Sequence, residues 1–158
     1  MVDISIFCET GERKMEPNEQ SIHTLLMRTA HKQRNYLRPY LSEVGLSTGQ
    51  PKVLRCLNAC GSCSQRKLAD ACEVDPSAIC RMLDSMEREG LVQRQPSPES
   101  RREGVVRLTE RGKQTFNIWE ARCARIDEHM LEGFSAQERR QFCDFLARAY
   151  RNMGGQMV

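Results

Sequence analysis

The chain has 158 residues, which is enough for one domain that buries a core without metal or disulfide support. Charged residues make up 28% and hydrophobic residues 39%, and no apolar run is long enough to cross a bilayer, so composition excludes a disordered chain and a membrane protein. The net charge of +3 is too small to indicate nucleic acid as a partner by itself, and the N-terminus carries no export signal, so we expect a cytoplasmic protein.

The N-terminal part of the sequence divides into an arm and a helix. Residues 1–16 show no sustained hydrophobic period and are expected to form a flexible arm. Apolar residues then recur every three or four positions from Ile22 to Val44, which predicts one long helix within residues 17–46. Pro39 is expected to kink this helix, because its ring removes a backbone hydrogen bond and collides with the preceding turn.

Three short helices are predicted next. Residues 47–50 have the pattern of a capping box, which starts a helix ending near Ala59. Ser64 can cap a second short helix, and Asp75 followed by proline begins a third, which ends at Gly90. The residues expected to be buried on the last two of these helices follow helical spacing: Leu68, Ala69, Cys72, Ile79, Leu83 and Met86.

A β-hairpin follows these helices. Residues 91–95 and 105–108 are short β-prone runs joined by a polar segment, so they predict a hairpin with a long tip. Two short helices joined by a turn and followed by a hairpin define a winged helix-turn-helix, in which the second helix enters the major groove of DNA. Residues 47–108 are therefore predicted to be a DNA-binding region, in a fold that is mainly α with a small β-hairpin wing.

Two further helices complete the predicted chain. Thr109 opens a long helix, and the segment from Ser135 to Glu138 is a second capping box that starts the last one. Together with residues 17–46, residues 109–153 are predicted to form a helical dimerisation region. Their apolar stripes are too extensive to be covered by one small DNA-binding module, so a homodimer is expected.

The candidate DNA contacts lie on the two helices of the helix-turn-helix and on the hairpin. The second helix is small and polar near its start, and Arg81 can make a bidentate contact to guanine. The hairpin tip carries two arginines that suit phosphates or a narrow minor groove, although plain solvated charge is the alternative for every arginine here. The predicted contacts are Ser64, Gln65, Arg66, Ser77, Ala78, Cys80, Arg81, Arg101 and Arg102.

Several segments of the sequence resemble the MarR family of regulators. They are SQRKLA (64–69), DPSA (75–78), LDSMEREGLV (83–92), PESRR (98–102) and VRLTERG (106–112), and the resemblance extends over residues 22–150. Ser100 stands where the family usually has an aspartate, two residues before Arg102. The resemblance implies a dimer held by the first helix and the last two, a palindromic operator, and often release from DNA by a small molecule or an oxidant.

The eight cysteines are expected to be reduced thiols, because disulfides are rare in the cytosol. Cys60 and Cys63 could form a redox pair or half of a metal site, although helical packing explains both positions and no second pair with zinc-ribbon spacing follows. Cys80 faces the DNA side near the positive end of its helix, which favours a reactive thiolate. The candidate redox-sensing residues are therefore Cys60, Cys63 and Cys80, each with simple packing as the alternative, and no metal or cofactor is expected.

A candidate effector pocket lies next to the expected dimer seam. Regulators of this type bind small molecules between the first and fifth helices, and a mixed aromatic and polar lining suits a planar aromatic or phenolic ligand. Core packing is the alternative for the same side chains. The candidate residues are His31, Tyr36, Tyr40, Trp119 and Cys123.

The sequence favours a binding protein over an enzyme. It has no Gly-rich phosphate loop and no nucleophile elbow, and its Cys-x-x-Cys segment lacks the βαβ setting of a thiol oxidoreductase. We therefore predict a DNA-binding transcription regulator, in particular a repressor that binds a palindromic operator as a homodimer. The alternative is a winged-helix adaptor that binds proteins and has lost DNA binding.

Overall fold

The computed structural model describes residues 21–96 and 104–155. Within these ranges it contains six helices, which are α1 (Ile22–Glu43), α2 (Gln50–Cys60), α3 (Gln65–Cys72), α4 (Pro76–Arg88), α5 (Glu110–Met130) and α6 (Ala136–Asn152). The strands β1 (Ser62–Ser64), β2 (Val92–Pro96) and β3 (Gly104–Leu108) form an antiparallel sheet in the order β1-β3-β2. The predicted class, mainly α with a small β wing, is confirmed. The predicted arm, residues 1–16, lies outside the described residues.

Helix α1 agrees with the long helix predicted from hydrophobic spacing. It begins after Ser21, whose hydroxyl accepts a hydrogen bond from the Thr24 amide at 3.2 Å, and it continues through Pro39. Near its C-terminal end, Leu37 and Leu41 pack against the core. None of its residues is fully buried, so much of its apolar stripe faces outward.

Helix α2 begins differently from the prediction. The predicted capping box at residues 47–50 is wrong, because Gly49 is the N-cap, with φ of 93°, and makes no side-chain cap. The side-chain oxygen Oε1 of Gln50 nevertheless accepts a hydrogen bond from the Ser47 amide at 2.7 Å. Only the reverse half of a capping box is therefore formed, and the buried Gln50 side chain is the group that satisfies the backbone before the helix.

Helices α3 and α4 form the predicted helix-turn-helix, with the predicted caps. The Ser64 hydroxyl accepts from the Lys67 amide at 3.4 Å, and the Asp75 carboxylate accepts from the Ala78 amide at 2.8 Å. Between the helices, Glu73 adopts a left-handed conformation with φ of 52°. The six residues predicted to be buried on these helices are all buried: Leu68, Ala69, Cys72, Ile79, Leu83 and Met86.

The sheet contains one strand that the sequence did not predict. The hairpin of β2 and β3 is confirmed, but β1 pairs with the other edge of β3, where Cys63 lies opposite Val106. A strand of three residues carries too little alternation to be recognised in a sequence. Strand β1 ends at Ser64, so the start of α3 is attached directly to the sheet.

Helices α5 and α6 both begin at the predicted residues. The Thr109 hydroxyl accepts from the Gly112 amide at 3.0 Å, and Ser135 and Glu138 form the predicted capping box. A Cβ atom added at Gly112 would collide with the carbonyl oxygen of Leu91, so α5 approaches the start of the wing more closely than any other residue would permit.

The hydrophobic core joins α2, α3, α4, the sheet and the first half of α5. Its largest fully buried side chains include Leu54, Leu57, Leu68, Ile79 and Leu83. Helix α6 contains no buried residue, and the apolar stripe predicted for it is largely exposed. The core therefore supports the helix-turn-helix and leaves apolar side chains of α1 and α6 uncovered.

Candidate nucleic-acid interface

The exposed face of α4 begins with a chain of hydrogen-bonded polar side chains. The Asp75 carboxylate accepts from the Ser77 hydroxyl at 2.5 Å as well as from the Ala78 amide. The Ser77 oxygen in turn accepts a hydrogen bond from Nη1 of Arg81 at 3.2 Å. The Ser77 hydroxyl, the Ala78 amide and the charge of Arg81 together lower the pKa of Asp75. The predicted contacts Ser77, Ala78 and Arg81 therefore lie together on the first two turns of α4.

A second group of predicted contacts lies at the start of α3. Ser64 and Gln65 are half-buried, and Arg66 is exposed. These three residues line a hollow of about 230 Å³ whose other walls are Arg94, Gly104 and Val106 of the sheet. The start of α3 and the base of the wing thus share one concave surface.

Arg94 joins the wing to α4, and sequence reasoning missed this role. Its guanidinium donates to Asp84 at 2.6 Å and to Glu87 at 2.6 Å, and its backbone amide donates to Glu87 at 3.1 Å. Partial burial alone would lower the pKa of Arg94, but the bonds to the two carboxylates raise it. Arg94 is therefore a charge-compensated structural link between the wing and α4. The available signal was the pair of acids one turn apart on the face of α4 that carries the wing.

The two predicted contacts at the wing tip, Arg101 and Arg102, lie outside the described residues. Contact of these arginines with DNA stays a prediction.

The candidate thiols differ in their accessibility. Cys80 is half-buried on α4, Cys60 is exposed at the end of α2, and Cys63 is buried in β1. Burial, together with the smaller effect of the adjacent Cys60 thiol, raises the pKa of Cys56 to about 12 and that of Cys63 to about 11. A thiol with a raised pKa is a weak nucleophile, which disfavours reaction at Cys56 and Cys63. Cys60 is the exposed member of this group of three thiols. Among the described residues, no group of three or more His, Cys, Asp or Glu side chains is arranged to hold a metal ion.

The structure divides the candidate effector residues between two clefts. Trp119 and Cys123 line a cleft of about 310 Å³ between α1, α2 and α5, together with Lys52, Arg55 and other side chains. Tyr36 lines an adjoining, smaller cleft of about 180 Å³ between α1 and α5, which shares Gln33 and Ile126 with the first. Trp119 and Cys123 are thus brought together, whereas Tyr36 is not part of their cleft.

The remaining two candidates line neither of these clefts. His31 is exposed on α1, where its Nε2 atom is hydrogen-bonded with Asn35 at 3.0 Å. Tyr40 packs against the core, with the guanidinium of Arg122 5.0 Å from its ring centroid. The two cations of the larger cleft, Lys52 and Arg55, carried no sequence signal, because exposed cations on a helix are ordinary.

None of the helices in the described ranges combines the length and the apolar character that crossing a membrane requires.

Comparison with known proteins agrees with this geometry. Residues 46–103 match the MarR family. A curated relative, the uncharacterized HTH-type transcriptional regulator YdgJ from Bacillus subtilis, is 33% identical over 109 residues, which cover 69% of this chain and 66% of that protein. The matched segment therefore spans just under two thirds of the relative.

Two solved structures share the fold. A mutant of MarR from E. coli, complexed with operator DNA, has a TM-score of 0.70 at 24% identity and covers 80% of this chain and 91% of that chain. NadR in complex with 4-hydroxyphenylacetate has a TM-score of 0.70 at 19% identity and covers 85% of this chain and 95% of that chain.

A helix-turn-helix with a three-stranded wing, flanked by long helices from both ends of the chain, defines a winged-helix regulator. Among such regulators, this chain belongs to the MarR family. The members of this family are transcription regulators.

Proposed function

We propose that the protein is a cytoplasmic, homodimeric repressor that binds a palindromic operator and leaves it when a small aromatic acid binds. In this proposal residues 47–108 contact DNA, and residues 17–46 with 109–153 form the dimer. The observation that supports this proposal is the exposed start of α4. There the guanidinium of Arg81 is hydrogen-bonded to the Ser77 hydroxyl, next to the small side chain of Ala78.

Readout of DNA by α4 is supported by the size and charge of its exposed face. Ser77 and Ala78 are small enough to permit close approach to base edges, and Arg81 offers the bidentate donor pair that guanine accepts. Arg66, exposed at the start of α3, suits a phosphate contact. The MarR neighbour was solved in complex with operator DNA, which supports DNA as the partner of this fold.

Dimer formation is supported by the apolar side chains that the monomer leaves in solvent. On α1, Leu26 is 53% exposed, and on α6, Phe145 is 57% and Leu146 is 42% exposed. Apolar groups that recur along two long helices usually mark a protein–protein interface. A two-fold dimer would present its two α4 helices to half-sites about one helical turn apart, roughly 10 base pairs.

Effector binding is supported by the cleft between α1, α2 and α5. Trp119 supplies an aromatic wall, and the charged lining residues are two cations, Lys52 and Arg55, and one acid, Asp127, so positive charge predominates. That combination favours a planar aromatic ligand with a carboxylate. The NadR neighbour binds a ligand of this kind, 4-hydroxyphenylacetate.

Oxidation is a second signal that the thiols could carry. Cys80 lies next to Arg81 on α4, the helix proposed to contact base edges, so added bulk or charge on this thiol would oppose the approach of α4 to DNA. Cys60 is exposed, whereas Cys63 is buried with a raised pKa, so Cys60 would react first of this pair. Mass spectrometry after mild peroxide treatment, with Cys80→Ser and Cys60→Ser as the variants, assigns the response to one site.

The test of DNA binding is fluorescence anisotropy with fragments from the upstream region of the protein's own gene. Arg81→Ala is expected to weaken specific binding by about 1–3 kcal/mol and to relax base preference at one position in each half-site. Arg125→Ala, which removes an exposed arginine from α5, is the control and should bind as the wild type does. An absence of sequence-specific binding in the wild type would favour the adaptor alternative.

A further inference from the structure

Lys52 lies between the proposed effector cleft and the turn of the helix-turn-helix. It lines the cleft, and its ammonium group also donates a hydrogen bond to the carbonyl oxygen of Cys72, the last residue of α3, at 2.6 Å. The same Nζ atom is 3.5 Å from the carboxylate of Glu73. A single cation from α2 thus reaches both the wall of a ligand-sized cleft and the segment that connects α3 to α4.

The side chain of Glu73 makes the contacts that fix the conformation of this turn. Its left-handed conformation, φ 52° and ψ 45°, is unfavourable for a residue with a side chain unless neighbouring groups hold it in place. Its carboxylate accepts hydrogen bonds from the Tyr150 hydroxyl of α6 at 2.6 Å and from Lys52. Both contacts favour the charged form, and the Tyr150 hydroxyl contributes most to the lowered pKa of Glu73. Helix α4 starts shortly after this residue, so its position depends on the turn.

The other cation of the cleft is held differently. Arg55 donates to the Glu120 carboxylate of α5 at 2.6 Å, a contact within the helices that enclose the cleft. Lys52, by contrast, has its partners in the turn. An anion in the cleft therefore competes with the turn for Lys52 and with α5 for Arg55, and only the first competition reaches the helix-turn-helix.

We propose that Lys52 is the positioning residue that couples the cleft to α4: an anionic ligand takes its ammonium group from Cys72 and Glu73, and the turn between α3 and α4 is released. This inference rests on the proposed use of the cleft by a small aromatic acid. It adds the route by which a ligand in the cleft alters the position of α4. That route is one lysine and not a rearrangement of the core.

The experiment removes the Lys52 ammonium group by substitution, with no ligand present, and measures hydrogen exchange of the turn amides. In Lys52→Met, hydrogen exchange of the Glu73 and Val74 amides, which donate to the carbonyl oxygens of Asp70 and Ala69, is expected to accelerate about fivefold or more, as it would when a ligand engages the lysine. Lys52→Arg, which keeps a donor cation, should retain most of the protection.

Arg55→Met is the matched control, because it removes a cation from the same cleft without touching the turn. Exchange at the two turn amides should stay at the wild-type rate in this variant. If the two turn amides of Lys52→Met exchanged at the wild-type rate, the proposal would be overturned. An equal acceleration of exchange throughout the core would also overturn it, because that would indicate general destabilisation. Since the measurement uses protein alone, a failure to bind operator DNA would count against the proposed function and leave this result unaffected.

Discussion

At the scale of single residues, Gly112 is a position where the backbone leaves no room for a side chain. A methyl group there would meet the Leu91 carbonyl oxygen, which is backbone and already accepts a hydrogen bond from the Thr109 amide at 3.0 Å. We expect Gly112→Ala to lower the free energy of unfolding by about 1–3 kcal/mol, because α5 must move away from the wing. Urea denaturation followed by circular dichroism measures the change.

The control for this substitution is Gly104→Ala in β3. A Cβ atom at Gly104 would lie at an ordinary van der Waals distance, 3.6 Å, from the carbonyl oxygen of Gln95. Its effect should stay within about 0.5 kcal/mol. Equal effects of the two substitutions would show that the close approach of α5 to Leu91 is unimportant.

Residues whose role depends on nearby sequence were predictable, and those whose role depends on distant partners were not. The caps at Ser64, Asp75 and Thr109 follow from local chemistry, since a side chain and an amide two or three residues later decide them. Arg94 could not be assigned in this way, because its partners on α4 meet it only after the hairpin has folded back.

At the scale of elements, the contacts of Arg94 determine how firmly the wing is joined to α4. Because its side chain is only 30% exposed and has two carboxylate partners, we expect Arg94→Ala to cost about 1 kcal/mol of unfolding free energy. A double-mutant cycle with Asp84→Asn, measured by urea denaturation, should give a coupling of about 0.5 kcal/mol or more. Strictly additive effects of the two substitutions would contradict a direct link.

The elements themselves were mostly readable from hydrophobic period, with two instructive failures. Helix α2 was predicted to start at a serine cap, but Gly49 with its positive φ is the N-cap, and the Gln50 side chain is buried. This arrangement depends on tertiary packing, which the local sequence pattern does not reveal. Strand β1 forms because its three residues pair with a free edge of β3. They therefore have strand geometry, although their sequence lacks the alternation that would predict a strand. The division of the effector candidates between two clefts likewise depends on helix packing.

At the scale of the whole molecule, the uncovered apolar stripe of α6 predicts the assembly. Phe145→Asp places a charge within that stripe and is expected to convert the dimer into a monomer at micromolar concentration, with a loss of tight operator binding because one half-site makes too few contacts. Size-exclusion chromatography with light scattering measures the mass.

Arg140→Asp is the control for this prediction, since helical spacing places it on the side of α6 opposite Phe145. It should leave the mass unchanged. A wild-type protein that is monomeric at micromolar concentration, or a Phe145→Asp variant that remains a dimer, would contradict the assigned interface.

The amide of Arg94 has a consequence for solubility. Strand β2 pairs with β3 along one edge only, so its other edge carries backbone groups that could pair with a strand of another molecule. The carboxylate of Glu87 accepts the Arg94 amide on that edge and so occupies one of the donors through which such pairing would begin. Substitutions at Glu87 would therefore loosen the wing and also open a site for sheet-to-sheet aggregation, whereas substitutions at Asp84 would leave that edge protected.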